Sequence, residues 1–374
     1  MKRFFSIFLA VLLCVTLTTT LVLAQDADIY VDANEGNDKT GDGTQDGPYK
    51  TITKAVQVAN NSMDRKKIHV AKGVYNLNTG EKFPLTVKNV DLVGNPDDLE
   101  AVKIATQMTF RNSLIKGLHF YRSVEVQDGT VIQENAFSGI NGDAINLRIE
   151  GSSKIRGNSF KDNQQAIDGN VSGSLTITKN TLLNNSRGAS IALYKGGEVA
   201  IASNQVRAAE RGRGFIISLR GGKCRAIVQG NEITARVGVG LSFRGGGGRA
   251  LIPNNTISSD ETGIELRLND SGGEVVLANN KISGQNSVSL TGSGNVKADL
   301  GGGPLENSGK NTFQASEYCI KYELPPYNGK IYAKNNTWKD AYGNTFQPPT
   351  TLEGSADTDH FLIEDEGNMI VFSD

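Results

Sequence analysis

The sequence predicts an all-β, single-domain parallel β-helix, a solenoid closed at its front by a short helix. Two observations carry this expectation: an asparagine that recurs at a nearly fixed interval, and a period-two alternation of Ile, Leu, Val and Phe between glycine-rich turns. The asparagines are Asn135, Asn158, Asn180, Asn204, Asn231, Asn255, Asn280, Asn311 and Asn336, at intervals of 23, 22, 24, 27, 24, 25, 31 and 25 residues. Self-similarity at such a period marks stacked repeats. Nothing keeps helical spacing through a whole unit, so each unit reads as one coil of strands, with neighbouring coils about 4.8 Å apart. The asparagine suits a tight corner because it tolerates left-handed backbone and its amide both donates and accepts, which predicts an inter-coil ladder.

Taken in order, residues 1–24 read as a secretory signal peptide: Lys2 and Arg3 precede an apolar run that closes on Val22-Leu23-Ala24. The run is nearly long enough to span a bilayer as an uncleaved anchor, but its threonines and small final residue favour cleavage, and no later stretch approaches spanning length. The mature chain is therefore expected to be extracellular or periplasmic. Cys14 leaves with the leader, and Cys224 and Cys319 alone make no disulfide framework. Residues 25–95 are expected to hold an N-terminal cap and the first coils, 96–342 the main coils, and 343–374 an acidic C-terminal cap.

Within the front segment, the Asp, Asn and Gly cluster of 32–47 lacks the alternating ligands and closing glutamate of a calcium loop, so it reads as turns. Ile52, Ala55, Val56 and Ala59 then recur at helical spacing, a short helix fit to plug an open solenoid end. The glycines at 245–248 read as a corner between two strands. A phosphate cradle would need a following helix, and Ala250-Leu251-Ile252-Pro253 offers none.

Val31-Asp32, Gly36-x-Asp38, Asp42-Gly43-Thr44, Pro48-Tyr49-Lys50-Thr51-Ile52, Gly73-x-Tyr75 and Phe83-Pro84-Leu85 together resemble the start of a secreted bacterial domain-of-unknown-function family in the pectin-lyase-like superfamily. Leu300-Gly301-Gly302-Gly303 with Asn311-Thr312-Phe313, Ile331-Tyr332-Ala333-Lys334-Asn335-Asn336-x-Trp338, and residues 357–373 resemble its late coils and closing strands. The resemblance implies a right-handed parallel β-helix across nearly all of the mature chain. It does not choose among lyases, hydrolases and adhesins, because one fold hosts many functions.

The chemistry is sparser than the fold. Aligning the strands before each glycine turn predicts an outward column of Asn146, Asp168, Ala192, Ser218, Ser242, Glu265 and Ser289. Beside it lies an inward column of Ile145, Ile167, Ile191, Ile217, Leu241, Ile264 and Val288. Glycosidases need two carboxylates about 5–9.5 Å apart. Asp168 and Glu265, four coils apart, stand roughly 19 Å from each other. Asp143 and Asp168 are the one close pair and the weak catalytic candidates, although Asp143 is expected at a corner, where stabilising a turn is the simpler role. The Asn-x-Asp, Asp-Asp, Gly-His-Gly and Arg-x-Lys motifs of hydrolases with this fold do not occur as an ordered set, and no carboxylate cluster suits a calcium-dependent lyase. His69, His119 and His360 have no ligand spacing and read as packing or surface histidines. Cys224, expected in a turn, has no spaced histidine partner for covalent work. Neither metal nor cofactor is implied.

What remains is positive charge. The whole chain carries a net charge of −1, yet residues 187–267 hold ten Arg and two Lys against six Asp and Glu. Arg148, Arg220, Arg244 and Arg267, with Tyr194 and Lys195, are expected to line up as a cationic stripe along the axis. Such a stripe suits bidentate contacts with carboxylates or sulfates of an acidic polysaccharide, with Tyr194 as a stacking face. The competing account is that long charged side chains merely protect a solenoid surface. Residues 353–374, with seven Asp and Glu and no Lys or Arg, read as a solvated cap against end-to-end stacking. Secretion and the lack of a reader motif disfavour nucleic acid. The sequence thus points to a secreted non-catalytic β-helix protein that presents a rigid face to acidic glycans. A polysaccharide lyase or glycosidase and a structural or adhesive module are the alternatives, and oligomeric state is left open.

Overall fold

The computed structural model describes residues 28–62, 64–268, 273–292, 296–323, 330–364 and 368–373. The expected signal peptide at 1–24 lies outside the described residues. Strands stack coil on coil into two sheets, one of 15 strands and one of 22, whose pairings are parallel except at the C-terminal end. The larger sheet takes two strands from most coils, so each coil is a three-strand loop around an apolar interior. Among the described residues no helix is long and apolar enough to cross a membrane.

The asparagine ladder is present. From Asn135 to Asn336 each Nδ2 donates to the Oδ1 of the next asparagine at 2.9–3.1 Å. The backbone N–H of each donates to that same Oδ1 at 2.9–3.0 Å. All but the terminal Asn336 are buried. The left-handed backbone, however, belongs to the residue before each ladder asparagine: Glu134, Gly157, Lys179, Ser203, Gly230, Asn254, Asn279, Lys310 and Asn335, with φ between 53° and 66°. The preceding residue makes the turn and points outward, leaving the asparagine extended and aimed into the wall. A second, shorter ladder joins Asn163 Nδ2 to Asn185 Oδ1 at 2.9 Å, again behind left-handed residues, Asp162 and Asn184.

Inside, the expected inward residues are all core, but they form two columns rather than one. Ile145 and Ile167 continue to Ala189, Phe215, Val239, Ile264 and Val288, while Ile191, Ile217 and Leu241 sit in the column of Leu147, Gly169, Leu266 and Leu290. Phe120, Phe137 and Phe160 stack face to face at centroid distances of 5.0 and 4.9 Å. Cys224 closes the turn from Gly221 by donating its N–H to Gly221 O at 3.1 Å, and begins the strand Cys224–Gln229 with its side chain buried; Cys319 is also buried, and burial pushes its thiol up to about 12. Both cysteines are free.

The helix Ile52–Asn60 closes the front and buries Ile52, Ala55, Val56 and Ala59. Thr51 caps it, and buried Glu81 accepts from the N–H groups of Ile52 and Thr53, at the end where the helix dipole favours an anion. The preceding acidic cluster is spent on turns: Asp32, Asn37 and Asp42 each accept from backbone N–H groups two or three residues on, and Asp38 accepts from Lys50 and Thr51. At the far end, short antiparallel pairings and a cluster of Trp338, Phe361 and Phe372 close the solenoid.

Asn204 donates to Ile177 O, Ala202 O and Asn231 Oδ1 and accepts from Asn180, so Asn204→Ala strands several buried polar groups at once. The expected cost is about 2–4 kcal/mol in urea unfolding, against less than about 0.5 kcal/mol for its exposed neighbour in Gln205→Ala.

Candidate functional site

The outward face of the larger sheet carries the charged surface, and strand register decides which side chains meet there. The expected single column is two. Asn146 and Asp168 continue to Ser190, Ile216, Gly240, Glu265 and Ser289; Ala192, Ser218 and Ser242 lie instead in the column of Arg148, Asn170 and Arg267. Tyr194, Arg220 and Arg244 form a third column one outward step further along the strands. The expected stripe of four arginines is therefore split, with Arg148 and Arg267 two residues out of line with Arg220 and Arg244. Asp168 and Glu265 remain four coils apart.

The split columns nonetheless enclose a continuous depression. Arg220, Arg244 and Arg267, with Arg213, Asp168 and Glu265, line a trough of about 370 Å³. Its floor is made of small residues, Ser190, Ala192, Ser218, Gly240 and Ser242, around the larger Ile216. Arg148, Tyr194, Lys195 and Arg220 line a second hollow of about 650 Å³, and Arg220 and Asn170 border both. All six expected binding residues thus lie along one path.

Glu265 organises one end. Only 17% of its side chain is exposed, and it holds Arg267 Nη2 at 2.8 Å through Oε1 and Arg213 Nη1 at 3.4 Å through Oε2. Arg213 was not singled out by the sequence, because it opens its strand beyond the stretch that keeps strict alternation. In the middle, the Arg220 guanidinium lies 5.0 Å from the centre of the Tyr194 ring and donates to its hydroxyl. One face of Tyr194 is therefore covered by Arg220 and does not offer itself for stacking. Arg244 has no ion-pair or hydrogen-bond partner among the described residues, leaving its donors open to the trough.

Asp143 begins the strand Asp143–Ile149, after Gly142 with φ 133°, and so is not a corner residue. Its strand neighbour on the next coil is Gln165, whose Nε2 donates to Asp168 Oδ1 at 2.6 Å. Burial, then the charge of nearby Asp168, raises the Asp143 carboxyl above its ordinary value, against the lowering effects of Asn146 and Arg187. The two candidate carboxylates thus feel each other, at the edge of the trough that Asp168 enters and Asp143 does not. No group of three or more His, Cys, Asp and Glu side chains among the described residues is placed to hold a metal.

An acid whose folded pKa is raised costs stability once ionised; that cost is absent below the unfolded pKa and complete above the folded one. Asp143→Asn should therefore raise the melting temperature slightly at pH 7, by less than about 1 kcal/mol in free energy for a half-buried group still screened by solvent, and leave it unchanged at pH 3. Thermal melts at the two pH values check this.

No curated protein matches the sequence. Among solved structures, XylC in complex with xylose aligns with 84% of this chain and 86% of its own at 12% identity and a TM-score of 0.50, a likeness of fold alone. The periplasmic alginate epimerase AlgG aligns over 73% of this chain and 72% of its own at 13% identity, with a TM-score of 0.30. The family described as right-handed β-helix region matches residues 72–233, which gives the solenoid its hand. A second family matches residues 34–109 and 191–345, the front cap through the late coils, and the chain belongs to it: the proteins of unknown function designated DUF1565.

Proposed function

We propose that this is a secreted β-helix protein whose trough binds an acidic polysaccharide without cutting it. The supporting observation is the arrangement of guanidinium groups over a floor of mostly small residues. Arg220 and Arg244 stand on adjacent coils, about 4.8 Å apart at the backbone, with Arg267 on the coil beyond and Arg213 at the other end of Arg220's own strand. Planar guanidiniums repeated along an axis match carboxylates or sulfates repeated along an extended polymer. The small floor lets a sugar ring approach the sheet, and Glu265 fixes two of the arginines without neutralising Arg220 or Arg244. Secretion enters through the leader-like residues 1–24.

Retention on an immobilised acidic glycan tests this reading. Replacing Arg220 and Arg244 together by Ser should abolish retention at low salt and shift the melting temperature by no more than about 2 °C, since exposed arginines contribute little to stability. Equal retention would discard the trough as the binding surface. A column of uncharged glycan should not retain the wild-type protein.

The mutual influence of Asp143 and Asp168 favours a second reading, in which the polymer is also cleaved, Asp143 holding the proton and Asp168 the charge. New reducing ends from an acidic polysaccharide, lost in Asp168→Asn, would establish that reading over simple binding.

A further inference from the structure

Away from the trough, the early coils bring together three residues that the sequence keeps far apart. Ser138 Oγ lies 2.7 Å from His119 Nε2. On the other side of the ring, His119 Nδ1 lies 2.9 Å from Glu100 Oε1 and 3.2 Å from the Tyr121 hydroxyl, which also reaches Glu100 Oε2 at 3.4 Å. The Tyr121 ring stacks on the imidazole at 4.2 Å. His119 is only 4% exposed, which holds the ring; the Glu100 carboxylate can only accept, so it favours the proton on Nδ1 and leaves Nε2 to accept from Ser138.

The placement follows from the strands. Phe120 and Phe137 are directly paired on adjacent coils and stack inward. Their outward neighbours His119 and Ser138 then face each other on the diagonal, within reach of long side chains. A cavity of about 470 Å³ opens one residue beyond Ser138, at Gly139 and Tyr121. Leu77, Phe83 and Ile140 give it an apolar side, and Arg122 and Asn141 a polar one. The side chains of Arg122 and Asn141 make no hydrogen bond or ion pair among the described residues, so their donors are open to a ligand. The N–H groups of Gly139 and Ile140 are already spent on Lys161 O and Asn163 Oδ1, which leaves the side chains of Arg122 and Asn141 as open donors at the cavity.

We propose that Ser138 and His119 hydrolyse carboxylic esters with a short apolar acyl group seated in this cavity, with Glu100 as the positioning residue. Ser138 Oγ attacks the ester carbonyl carbon while its proton passes to His119 Nε2. The tetrahedral adduct collapses, the bond to the alcohol oxygen breaks, and His119 returns the proton to that oxygen. Water, deprotonated by the same nitrogen, then attacks the acyl carbon; the acyl–serine bond breaks, His119 returns that proton to Ser138 Oγ and the acid leaves, so ester and water become acid and alcohol. This site is independent of the polymer-binding trough, which no step uses.

Burial holds His119 below the ordinary histidine value, as does Lys103 on the preceding coil, while Glu100 acts the other way. These two and Tyr121 are the ionisable groups that face the ring; Lys161 pairs beyond Ser138 on the next coil. The shift keeps more of the ring in its base form at a given pH than an ordinary histidine would have.

Hydrolysis of p-nitrophenyl butyrate and labelling by a fluorophosphonate, read by intact mass, test the proposal on the full chain. The wild-type protein should take up one phosphonyl group and Ser138→Ala none, and Ser138→Ala and His119→Gln should each lose about 10²–10⁴-fold in rate. Glu100 is 65% exposed, so Glu100→Gln should fold normally; it should slow the reaction and move the acid limb of the pH–rate profile to lower pH, since it removes the group that favours the imidazolium. A wild-type protein that takes no label and hydrolyses the ester no faster than Ser138→Ala, both being folded by melting curve, overturns the proposal. So does a Glu100→Gln profile that does not move.

Discussion

The buried asparagine ladder is the constraint on which the molecule depends. A solenoid gains its core only if each coil stacks on the last in one register, and apolar contacts alone are too permissive to choose that register. Each ladder amide removes the freedom. Its Oδ1 accepts both the backbone N–H and the Nδ2 of the asparagine before it, while its own Nδ2 satisfies backbone carbonyls near the corner. A misplaced coil would leave several buried polar groups unpaired, at about 1–3 kcal/mol each. The corner is pinned, so variation in coil length has to be absorbed elsewhere. The 27-residue interval between Asn204 and Asn231 carries a turn at 208–212, and the 31-residue interval after Asn280 carries the excursion from Gly301 to Lys310. Asp299 ties down that excursion by accepting from the N–H groups of Gly301, Gly303 and Leu305.

This division of labour sets what was legible in the sequence. The nine asparagines, the apolar alternation and the plugging helix were readable because each is a local signal with one structural meaning. Register along the other strands was not. Between Ile167 and Ile191 the alignment slips by two residues, and between Leu241 and Ile264 it slips back. A slip of two keeps every side chain on its own face, so the hydrophobic pattern is blind to it. The same slip divided the expected arginine stripe, moving Arg148 and Arg267 out of line with Arg220 and Arg244. Asp143 was placed at a corner for a related reason: glycines mark where a turn lies, but not at which residue the following strand begins.

The division of the arginines shapes the trough. A single column would give a ridge of guanidiniums, one per coil, each free in solvent and consistent with surface protection alone. Two columns, one of which carries the small Ser218 and Ser242 between Arg148 and Arg267, give walls and a floor. Glu265 then occupies the corner between Arg213 and Arg267, where it reduces repulsion between cations that stacking has forced together. Tyr194 does the corresponding work for Arg220, covering one guanidinium face while its hydroxyl accepts a hydrogen bond. Arg244 has neither kind of support, so an anion in the trough has the least competition there.

The early coils follow the same logic with an opposite visibility. Glu100, His119 and Ser138 are separated by 19 residues at each step, shorter than the ladder period, and they precede or flank Asn135, where the ladder begins. Asn135 ties the two coils at the corner, accepting from Leu118 N–H at 3.1 Å and donating to Ile115 O at 2.9 Å, and the stacked phenylalanines set the register of the strands that follow. A ring pair such as Phe120 and Phe137 tolerates little sliding before the face-to-face contact is lost, so it locates the outward residues beside it more tightly than an aliphatic pair would. The polar contacts between His119, Ser138 and Glu100 are thus a consequence of inward packing, which is why a reading confined to exposed polar residues saw only three scattered histidines. A solenoid turns inward order into outward order at every coil, and side chains with no proximity in the chain acquire it from the rings and amides behind them.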